Sequence, residues 1–558
     1  MAFTQAAPVL ANPYLDDRML RSLLKRVCPP NQLGELEQTL TDLGDAVVGE
    51  LEPRIHKEYR FEPSLNHFDV FGNRIDQLQL SGFWREAKQF ATRWGLVSTG
   101  YDKRLVQHAR LHQFARVYLF HPSSEFFTCP LAMSDGAARC LQESGNSALI
   151  ERALPHLLAT DPKELWISGQ WMTETSGGSD VGGTETTAKQ DQRGRWRLTG
   201  RKWFTSAITA DMAMVLARPE GNGHGADQLA LFYVEPWKAD GRLRNIEIDR
   251  LKDKLGTRKL PTAEIRLNNT PAELVGDIKG GVKMITPVLN TTRVWNSVCA
   301  ISTLRRALSI ARDYAARRVV FGMPLLDHAL HQETLADVQA ELEAAFHLTF
   351  YVIEHLGRSE YTSAEDPSHA LVRLLTPALK LFTGKLAVAG VSECLEAMGG
   401  VGYCEDSGLP ALLRDAQVMP IWEGTTNVLA LDVLKALRQV GGLQHWLTAI
   451  RSLTAQITLP DMEPVVKQIR ESATAVAEWL QKRSSTKDEL PAGARGLAMT
   501  LARTLALAVL ARHAEWSFRA ENDPRALAAA KRYARLGTIR LAVPTGNEAR
   551  MLASDIYA

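Results

Sequence analysis

The feature that most constrains the fold is a change of hydrophobic period along the chain. Leucines recur at three- and four-residue steps over residues 20–43, which is typical of amphipathic helices. Over residues 166–267, short β-branched or aromatic runs alternate with turn residues, as in strands. The helical period returns from about residue 281. The chain is therefore predicted to contain helices, then a β-domain, then helices again.

This order divides the 558 residues into four predicted domains. They are an N-terminal helical domain, a middle β-domain, a helical bundle and a helical appendix, over residues 1–165, 166–280, 281–440 and 441–558. Four helices that would suit a bundle are predicted at 298–318, 335–356, 369–398 and 427–440. Appendix helices are predicted at 465–481, 494–518 and 526–536, and strands at 196–199, 212–216, 229–234 and 263–267. The expected fold is mostly α with a central β-domain.

Composition narrows the class of protein. Apolar residues make up 45% of the chain and charged residues 23%, as in soluble globular proteins. The net charge of +2 argues neither for nor against a polyanionic partner. The six cysteines have no C-x-x-C spacing, so neither a zinc site nor a disulfide framework is indicated and no metal is expected. The N-terminus lacks the pattern of a signal peptide. No run of about 18 apolar residues is present, so a cytoplasmic protein with no membrane span is predicted.

One carboxylate stands beside a glycine in the octet Pro-Ile-Trp-Glu-Gly-Thr-Thr-Asn at 420–427, directly before a helical pattern. Glu423 held against the two preceding apolar side chains would be partly desolvated. Desolvation raises the pKa of a carboxyl toward the range useful for a base at neutral pH. Gly424 would let a substrate approach the backbone. The alternative is an exposed helix N-terminus capped by Thr425 or Thr426.

Two segments of the β-region could contact a polar ligand. Residues 172–180 read Met-Thr-Glu-Thr-Ser-Gly-Gly-Ser-Asp, a hydroxyl-rich turn able to present backbone N–H groups. Residues 202–206 read Lys-Trp-Phe-Thr-Ser, with a flat apolar wall at Trp203 and a donor at Thr205. A plain surface turn and a strand with a packed tryptophan are the alternative interpretations.

Two further motifs lie at predicted helix ends. Residues 317–322, Arg-Arg-Val-Val-Phe-Gly, place arginines where they complement a helix dipole or where their forks would suit a pyrophosphate. The glycine-rich residues 396–403, Glu-Ala-Met-Gly-Gly-Val-Gly-Tyr, are also consistent with an ordinary helix C-terminus. No G-x-G-x-x-G motif follows a strand, so a Rossmann site is not predicted.

Together, these motifs and their order resemble the acyl-CoA dehydrogenase family, and more narrowly its AidB-like branch, which carries an extra C-terminal helical domain. The resemblance covers roughly residues 131–440. It implies an α-β-α architecture with a β-barrel-like middle domain and a C-terminal four-helix bundle. It also implies FAD as cofactor, acyl-CoA or a related acyl thioester as substrate, and an electron-transfer flavoprotein as partner. The assembly implied is a homotetramer built as a dimer of dimers.

The resemblance also assigns roles to individual residues. Glu423 would be the catalytic base, with the catalytic Arg293 close to it, and Ser179 and Gly424 would contact the substrate. In place of the usual Gln the chain has Glu396, a carboxylate that must turn away or pair beside a pyrophosphate. The residues expected to contact FAD are Met172, Thr173, Gly178, Ser179, Trp203, Thr205, Arg318, Phe321, Glu396, Gly399, Gly400, Thr425 and Asn427.

The implied reaction is α,β-dehydrogenation of a medium- or long-chain acyl thioester, in which Glu423 removes the α-proton and a hydride passes to flavin N5. Two alternatives stay open: an AidB-like flavoprotein that binds nucleic acid, and a fatty-acyl-binding protein with little dehydrogenase activity. Basic residues of the appendix are interspersed with acidic ones, which favours a solvated helix face over a nucleic-acid surface. The presence of Glu423 weighs against pure sequestration, and Glu rather than Asp at this position weighs against nitroalkane oxidation.

Overall fold

A computed structural model describes residues 5–483 and 489–556. The chain forms two compact units. The first unit comprises the described residues of 1–10, 17–33 and 303–558, and the second comprises 11–16 and 34–302. The division into four domains made from the sequence stays a prediction.

A seven-stranded sheet lies at the centre of the second unit. Its strands are β3 (Ser168–Trp171), β4 (Thr187–Gln190), β5 (Trp196–Ser206), β6 (Met212–Pro219), β7 (Ala230–Val234), β8 (Ile246–Leu251) and β9 (Thr262–Leu274). Earlier in the chain, β1 (Ser64–Phe68) and β2 (Arg74–Gln79) form a separate hairpin. The order is β3-β6-β4-β5-β9-β7, with β8 on β9. Because β6 also pairs with β7, the sheet closes on itself as in a barrel. The four predicted strands are confirmed within β5, β6, β7 and β9.

The core of this sheet explains why those strands were predictable. Every residue of β7 and all but one of β6 are buried, so both read as continuous apolar runs. The strands β3, β4 and β8 were not predicted. In β3 and β4 the reason is that they contain few β-branched residues and that neighbouring strands set their pairing. The prediction of helix throughout the first segment was wrong at β1 and β2. The side chains of β1 alternate between exposed and partly buried positions, as in a strand, whereas β2 places the buried Asp76 next to a partly buried residue.

The first nine helices, in chain order, are α1 (Arg18–Val27), α2 (Pro30–Ala46), α3 (Glu52–Lys57), α4 (Gly82–Arg93), α5 (Ala109–Phe120), α6 (Thr128–Ser144), α7 (Ser147–Leu157), α8 (Gly281–Met284) and α9 (Thr286–Arg317).

A charged group lies in the core of the second unit. The Asp135 carboxylate of α6 accepts hydrogen bonds from Arg110 at 2.9 Å, Gln113 at 2.9 Å, Tyr101 at 2.8 Å and Trp295 at 2.7 Å. Five residues from three helices and one short turn are thereby fixed around a single buried anion, which rigidifies the unit.

The first unit is almost entirely helical. It contains α10 (Ala329–Ser359), α11 (Pro367–Glu396), α12 (Leu409–Ala416), α13 (Thr426–Gln439), α14 (Gln444–Thr454), α15 (Glu463–Arg483), α16 (Glu489–Ala492), α17 (Ala494–Glu521), α18 (Arg525–Leu536) and α19 (Asn547–Ser554), with a two-stranded hairpin of β10 (Val319–Val320) and β11 (Met323–Pro324). Helix α17 is central, because it packs against α10, α11, α13, α14, α15 and α18. The predicted bundle and appendix helices are confirmed, and so is the overall class, mostly α with a central β-domain.

Two helices, α11 and α17, are long and apolar enough to cross a membrane, with mean hydropathies of 1.3 and 1.4 in their most apolar windows. Neither helix was predicted to span a membrane, because polar residues interrupt both apolar runs. Of these windows, 78% and 83% of the residues are buried inside the protein. A core helix passes the same test, and the burial of both helices identifies them as core helices.

Candidate functional site

Glu423 lies on a tight turn between α12 and α13 in the first unit. Its φ is 56° and that of Gly424 is 102°, so two consecutive residues are in the left-handed region. For a residue with a side chain this conformation costs about 1–2 kcal/mol. The Nζ atom of Lys380 holds the turn by donating to the Gly424 carbonyl oxygen at 2.7 Å. Gly384 lets α11 approach it, since a Cβ there would lie 3.0 Å from the Met419 oxygen.

The surroundings of Glu423 differ in part from those expected. The Glu423 side chain is half-buried, as is Trp422, but Ile421 is 59% exposed and gives the carboxylate little shielding. The expected rise of the Glu423 pKa therefore stays a prediction. Thr425 occupies the N-cap position of α13, yet its side chain makes no capping hydrogen bond. Thr425 and Asn427 are both exposed, which leaves their polar atoms open to a ligand.

The two predicted phosphate-contacting motifs are both at the surface of the first unit. Phe321 and Gly322 form the two-residue turn between β10 and β11, with φ values of 49° and 86°, as in a type I′ hairpin. The Phe321 ring is 96% exposed, while Arg318, just before β10, is half-buried. The ring thus projects away from its own unit.

At the end of α11, Glu396 is exposed and is the last residue of the helix. Gly399, with a φ of 62°, begins a short 3₁₀ turn that continues to Tyr403. A Cβ at Gly399 or Gly400 would meet no atom within 4 Å. The helix-end interpretation of this motif is correct, and the open space over both glycines also leaves room for a ligand to contact the backbone.

In the second unit, residues 172–180 form the loop after β3. Met172 and Thr173 are half-buried, whereas Gly178 and Ser179 are exposed. The loop is tied to β5 because Trp203 N donates to the Thr173 oxygen at 2.9 Å. One of the predicted flavin contacts, Thr173, is thereby placed beside another, Trp203.

A buried ion pair supports this loop, and its two residues had been given no role. Lys202 Nζ donates to Glu174 Oε1 at 2.6 Å and to the Leu216 oxygen at 2.7 Å. Glu174 also accepts from Thr186 Oγ1 and from the Glu185 N–H, each at 2.6 Å. Burial would by itself raise the pKa of the Glu174 carboxyl, but the charge of Lys202 and these hydrogen bonds outweigh burial and hold the pKa below its ordinary value.

Trp203 and Thr205 lie within β5, where the pairing with β9 shifts register between Lys202 and Thr205. This irregularity lets both Lys202 and Thr205 point inward. The Trp203 ring is half-buried, and Lys252 Nζ lies 3.3 Å from its centroid. Thr205 is fully buried, and its Oγ1 has no hydrogen-bond partner among the described residues. A buried hydroxyl left unsatisfied is costly, so Thr205 fits a site completed by a ligand.

Arg293 lies on α9 in the second unit and is 9% exposed. Glu423, Thr425, Asn427, Arg318, Phe321, Glu396, Gly399 and Gly400 belong to the first unit, and the residues of β3, β5 and the loop between them belong to the second. The predicted site residues therefore form one set in each unit. All the predicted roles stay predictions.

Several supporting residues were missed. Lys380 contacts a residue 44 positions away, and no local sequence pattern marks such a pairing. Arg258, which none of the sequence motifs includes, makes ion pairs with Glu62 and, at 3.1 Å, with Asp253. It anchors the loop before β9.

Among the described residues, no group of three or more His, Cys, Asp or Glu side chains could hold a metal ion.

The cations of the appendix bear on the nucleic-acid alternative. The cations that could have formed a basic surface include Arg503, Arg512, Arg519, Lys531, Arg532, Arg535 and Arg540. Four of these seven are ion-paired instead: Arg503 with Glu341, Arg519 with Glu515, Lys531 with Asp461 and Arg532 with Asp337. Paired cations release fewer counterions from a polyanion. The pairing favours a solvated helix face.

Comparison with known families covers nearly the whole chain. Residues 169–270 match the description "Acyl-CoA dehydrogenase, middle domain" and residues 279–438 match "Acyl-CoA dehydrogenase, C-terminal domain". Residues 5–162 match "Adaptive response protein AidB N-terminal domain", and residues 442–550 match "Acyl-CoA dehydrogenase 11 C-terminal domain-like".

Individual relatives agree with these matches. Acyl-CoA dehydrogenase family member 11 of Caenorhabditis elegans is 40% identical over 92% of this chain and 86% of its own length. Its crystal structure, named ACDH-11 in complex with C11-CoA, superposes with a TM-score of 0.95 over 100% of this chain and 97% of that one, at 37% identity. Putative acyl-CoA dehydrogenase AidB of Escherichia coli is 32% identical over 69% of this chain and 71% of its length. An acyl-CoA dehydrogenase from Bacillus anthracis, complexed with FAD, shares the fold with a TM-score of 0.73 at 19% identity, over 99% of this chain and 95% of that one.

Proposed function

Because the chain belongs to the acyl-CoA dehydrogenase family, we propose that it catalyses the FAD-dependent α,β-dehydrogenation of an acyl thioester with Glu423 as the base. Family membership makes the chain an oxidoreductase acting on acyl-CoA. The proposal adds the cofactor, the residues and the preferred substrate. The observation that carries it is Glu423 itself, a half-buried carboxylate kept in a left-handed turn by Lys380 and Gly384.

The residues present fit a flavin. The unsatisfied, buried Thr205 hydroxyl supplies a hydrogen-bonding group beside the half-buried Trp203 ring, and the backbone at Gly399 and Gly400 is open to a ligand. Met172, Thr173, Gly178 and Ser179 would hold FAD together with this pair. Thr425 and Asn427 are also proposed to contact FAD, and Arg318, Phe321 and Glu396 are proposed to contact the FAD of a neighbouring subunit. When bound, FAD supplies the two-electron acceptor that no side chain provides.

The chain's own residues would handle the proton. The α-proton of a thioester is weakly acidic, so its removal needs a positioned base and stabilisation of charge on the thioester oxygen. Glu423 would take that proton on its carboxylate, and the backbone N–H of the same residue would donate to the oxygen. Gly424 presents no side chain beside it, which lets the acyl group reach the base. Arg293 is proposed to assist near the base.

The substrate is proposed to be a medium- or long-chain acyl-CoA, which the C11-CoA in the structure of ACDH-11 supports. We also propose a cytoplasmic homotetramer, built as a dimer of dimers and reoxidised by an electron-transfer flavoprotein. The 96% exposure of Phe321 supports an assembly in which this ring contacts another subunit. Light scattering of the purified protein would measure the assembly mass.

The central test follows the flavin absorbance. The FAD-loaded protein is mixed anaerobically with saturated acyl-CoAs of graded length, and bleaching of the flavin band reports dehydrogenation. In Glu423→Gln the amide cannot take a proton, so bleaching should slow by about 10²–10⁴-fold while FAD stays bound. Exposed Glu405, which pairs with Arg414 at 2.6 Å, provides the control variant Glu405→Gln, expected to bleach at the normal rate.

Four results would distinguish the proposal from its alternatives. Normal bleaching by Glu423→Gln would exclude Glu423 as the base. Bound FAD with no bleaching of the wild-type protein by any acyl-CoA would exclude dehydrogenation and leave the two binding alternatives. A salt-dependent shift of duplex DNA would then identify the nucleic-acid alternative, and retention of a fatty acyl chain would identify the other.

A further inference from the structure

A cavity of about 930 Å³ opens within the first unit, between the bundle helices α10 and α11 and the helices of the appendix. Its walls come from α10, α11, α16, α17 and the chain between the end of α18 and residue 542. The volume lies in the range of small-molecule sites, about 300–1,000 Å³. Neither Glu423 nor any residue proposed to hold FAD lines it. The cavity is therefore separate from the site described above.

The floor of the cavity is apolar. It is formed by Val338 of α10, Phe382 and Leu386 of α11, Met499 of α17 and Leu536 of α18. Phe382 is almost fully buried, at 2% exposure. These side chains offer a hydrocarbon chain the contacts it lacks in water, which favours its transfer into the cavity.

The deeper charged groups of the wall are already paired. Arg503 donates to both oxygens of Glu341, at 2.9 and 2.7 Å, and to the Gly537 carbonyl at 3.0 Å. Asp337 accepts from Arg532 at 2.6 Å. A polar ligand group would have to displace these bonds, so the deep part of the cavity suits an apolar chain.

The rim carries cations with no anionic partner. Lys385 and Arg495 are exposed and make no ion pair or hydrogen bond in the described part of the chain. Within residues 5–483 and 489–556, the Arg540 guanidinium bonds only to the carbonyl oxygens of Ile539 and Leu536. Glu393 is the one lining carboxylate without a cation beside it among the described residues. The rim is thus net positive above an apolar floor.

We propose that this cavity binds a free long-chain fatty acid, with the hydrocarbon chain on the floor and the carboxylate at the rim beside Lys385 and Arg495. A single carboxylate matches the small excess of positive charge, and an arginine guanidinium can donate two parallel hydrogen bonds to its oxygens. The site does not depend on dehydrogenation, so a free fatty acid bound there would be a second ligand of the protein.

The location of binding can be mapped directly. The FAD-loaded full-length protein is saturated with acyl-CoA to fill the proposed catalytic site and is then irradiated with a hexadecanoic acid that carries a diazirine. We expect labelled peptides from residues 382–390 or 495–499, and loss of the label when excess hexadecanoate competes. Labelling confined to other segments would overturn the proposal.

Paired variants test the floor and the rim. Ala389 lines the cavity, and Ala389→Trp should place an indole in the path of the hydrocarbon chain and reduce the label, whereas Ser392→Trp adds the same ring to an exposed position of α11 outside the lining. Lys385→Ala with Arg495→Ala should weaken hexadecanoate binding by roughly fivefold. The control pair, Lys435→Ala with Arg535→Ala, removes two exposed cations of the same unit that do not line the cavity and should change nothing.

Two further measurements separate the fatty acid from other occupants. Hexadecanol lacks the charge, so its binding should be weaker than that of hexadecanoate and unaffected by the loss of Lys385 and Arg495. Competition by hexadecanoyl-CoA but not by hexadecanoate would overturn the proposal in favour of a thioester. A change of assembly mass in Ala389→Trp, with labelling unchanged, would overturn it in favour of an interface between copies of the chain.

Discussion

The pair between Lys202 and Glu174 allows a quantitative test of how β5 is held in place. Replacing Lys202 by Met removes the ammonium group and keeps an unbranched side chain. The Glu174 side chain, 4% exposed, would stay buried without its counter-charge. Loss of one partner of a buried pair costs about 3–5 kcal/mol. We expect the lower end of this range, because Thr186 Oγ1 and the Glu185 N–H still donate to the carboxylate at 2.6 Å.

Amide hydrogen exchange is the suitable assay, because a chain of 558 residues is not expected to unfold in one two-state step. Exchange reports local opening of β5 and of the loop bonded to it. A cost of about 3 kcal/mol corresponds to roughly a hundredfold faster exchange of the protected amides in 196–206. The Trp203 N–H, which bonds the Thr173 oxygen at 2.9 Å, should be among them.

A matched control exists on the neighbouring strand. Lys189 of β4 pairs with Glu220 at 2.9 Å, but the two side chains are 69% and 64% exposed. Such pairs contribute about 0.2–1 kcal/mol, so Lys189→Met should speed exchange by less than about fivefold. Adding Glu174→Gln to Lys202→Met should recover part of the protection, since it removes the stranded charge. Equal exchange in Lys202→Met and Lys189→Met would refute the argument.

Three further outcomes are expected. The pKa of Glu174 is lower in the folded protein than its ordinary value of 4.5, so its stabilisation is present above that pH and is lost as the pH falls through the folded value. Exchange of β5, corrected for intrinsic rates, should therefore be steady from pH 7 to 5 and should speed up below pH 4.5; the same increase below that pH in Glu174→Gln, which has no carboxyl to protonate at this position, would contradict this. Trp295→Phe removes the 2.7 Å bond to Asp135 and should cost about 1.5–3 kcal/mol, seen as faster exchange of α6; unchanged exchange would show that the bond contributes nothing. Gly384→Val places a side chain against the Met419 backbone and should lower the rate of flavin bleaching at least tenfold by shifting the Glu423 turn. The control is Gly34→Val on α2, where a Cβ meets nothing within 4 Å, and it should leave the rate unchanged. Equal rates in both variants would show that the turn tolerates the contact.

Much of the helical structure could be predicted because its signal is repeated over many turns. Helix α11 was expected at 369–398 and lies at Pro367–Glu396, and α17 was expected at 494–518 and lies at Ala494–Glu521. A buried stripe of that length survives an error at any single position. The hairpin of β1 and β2 has only five and six residues in its strands. Its alternation was too short to outweigh the leucine-rich helical pattern around it.

The candidate site could be predicted by residue type but not by its support. Motifs marked Glu423, Trp203 and Thr205, because each lies in a run that is unusual as a whole. The supporting contacts join distant positions, with Glu174 and Lys202 separated by 28 residues and Lys380 and Gly424 by 44. Nothing in a single sequence specifies such pairs. The bulge that turns both Lys202 and Thr205 inward likewise depends on pairing with β9.

The backbone adds an argument that the sequence could not supply. Glycine or asparagine adopts the left-handed conformation most readily, yet Glu423 and Phe321 adopt it with φ values of 56° and 49°. Strain of this kind persists only where surrounding structure compensates for it, and it concentrates at functional sites. At Glu423 the compensation is visible in the Lys380 bond to Gly424 and in the close packing allowed by Gly384. At Phe321 the ring is almost fully exposed, so its own unit gains no burial in return for the strain. A carboxylate and an aromatic ring are thus held where backbone preference alone would favour smaller residues, and both positions are those proposed for the reaction and for the cofactor.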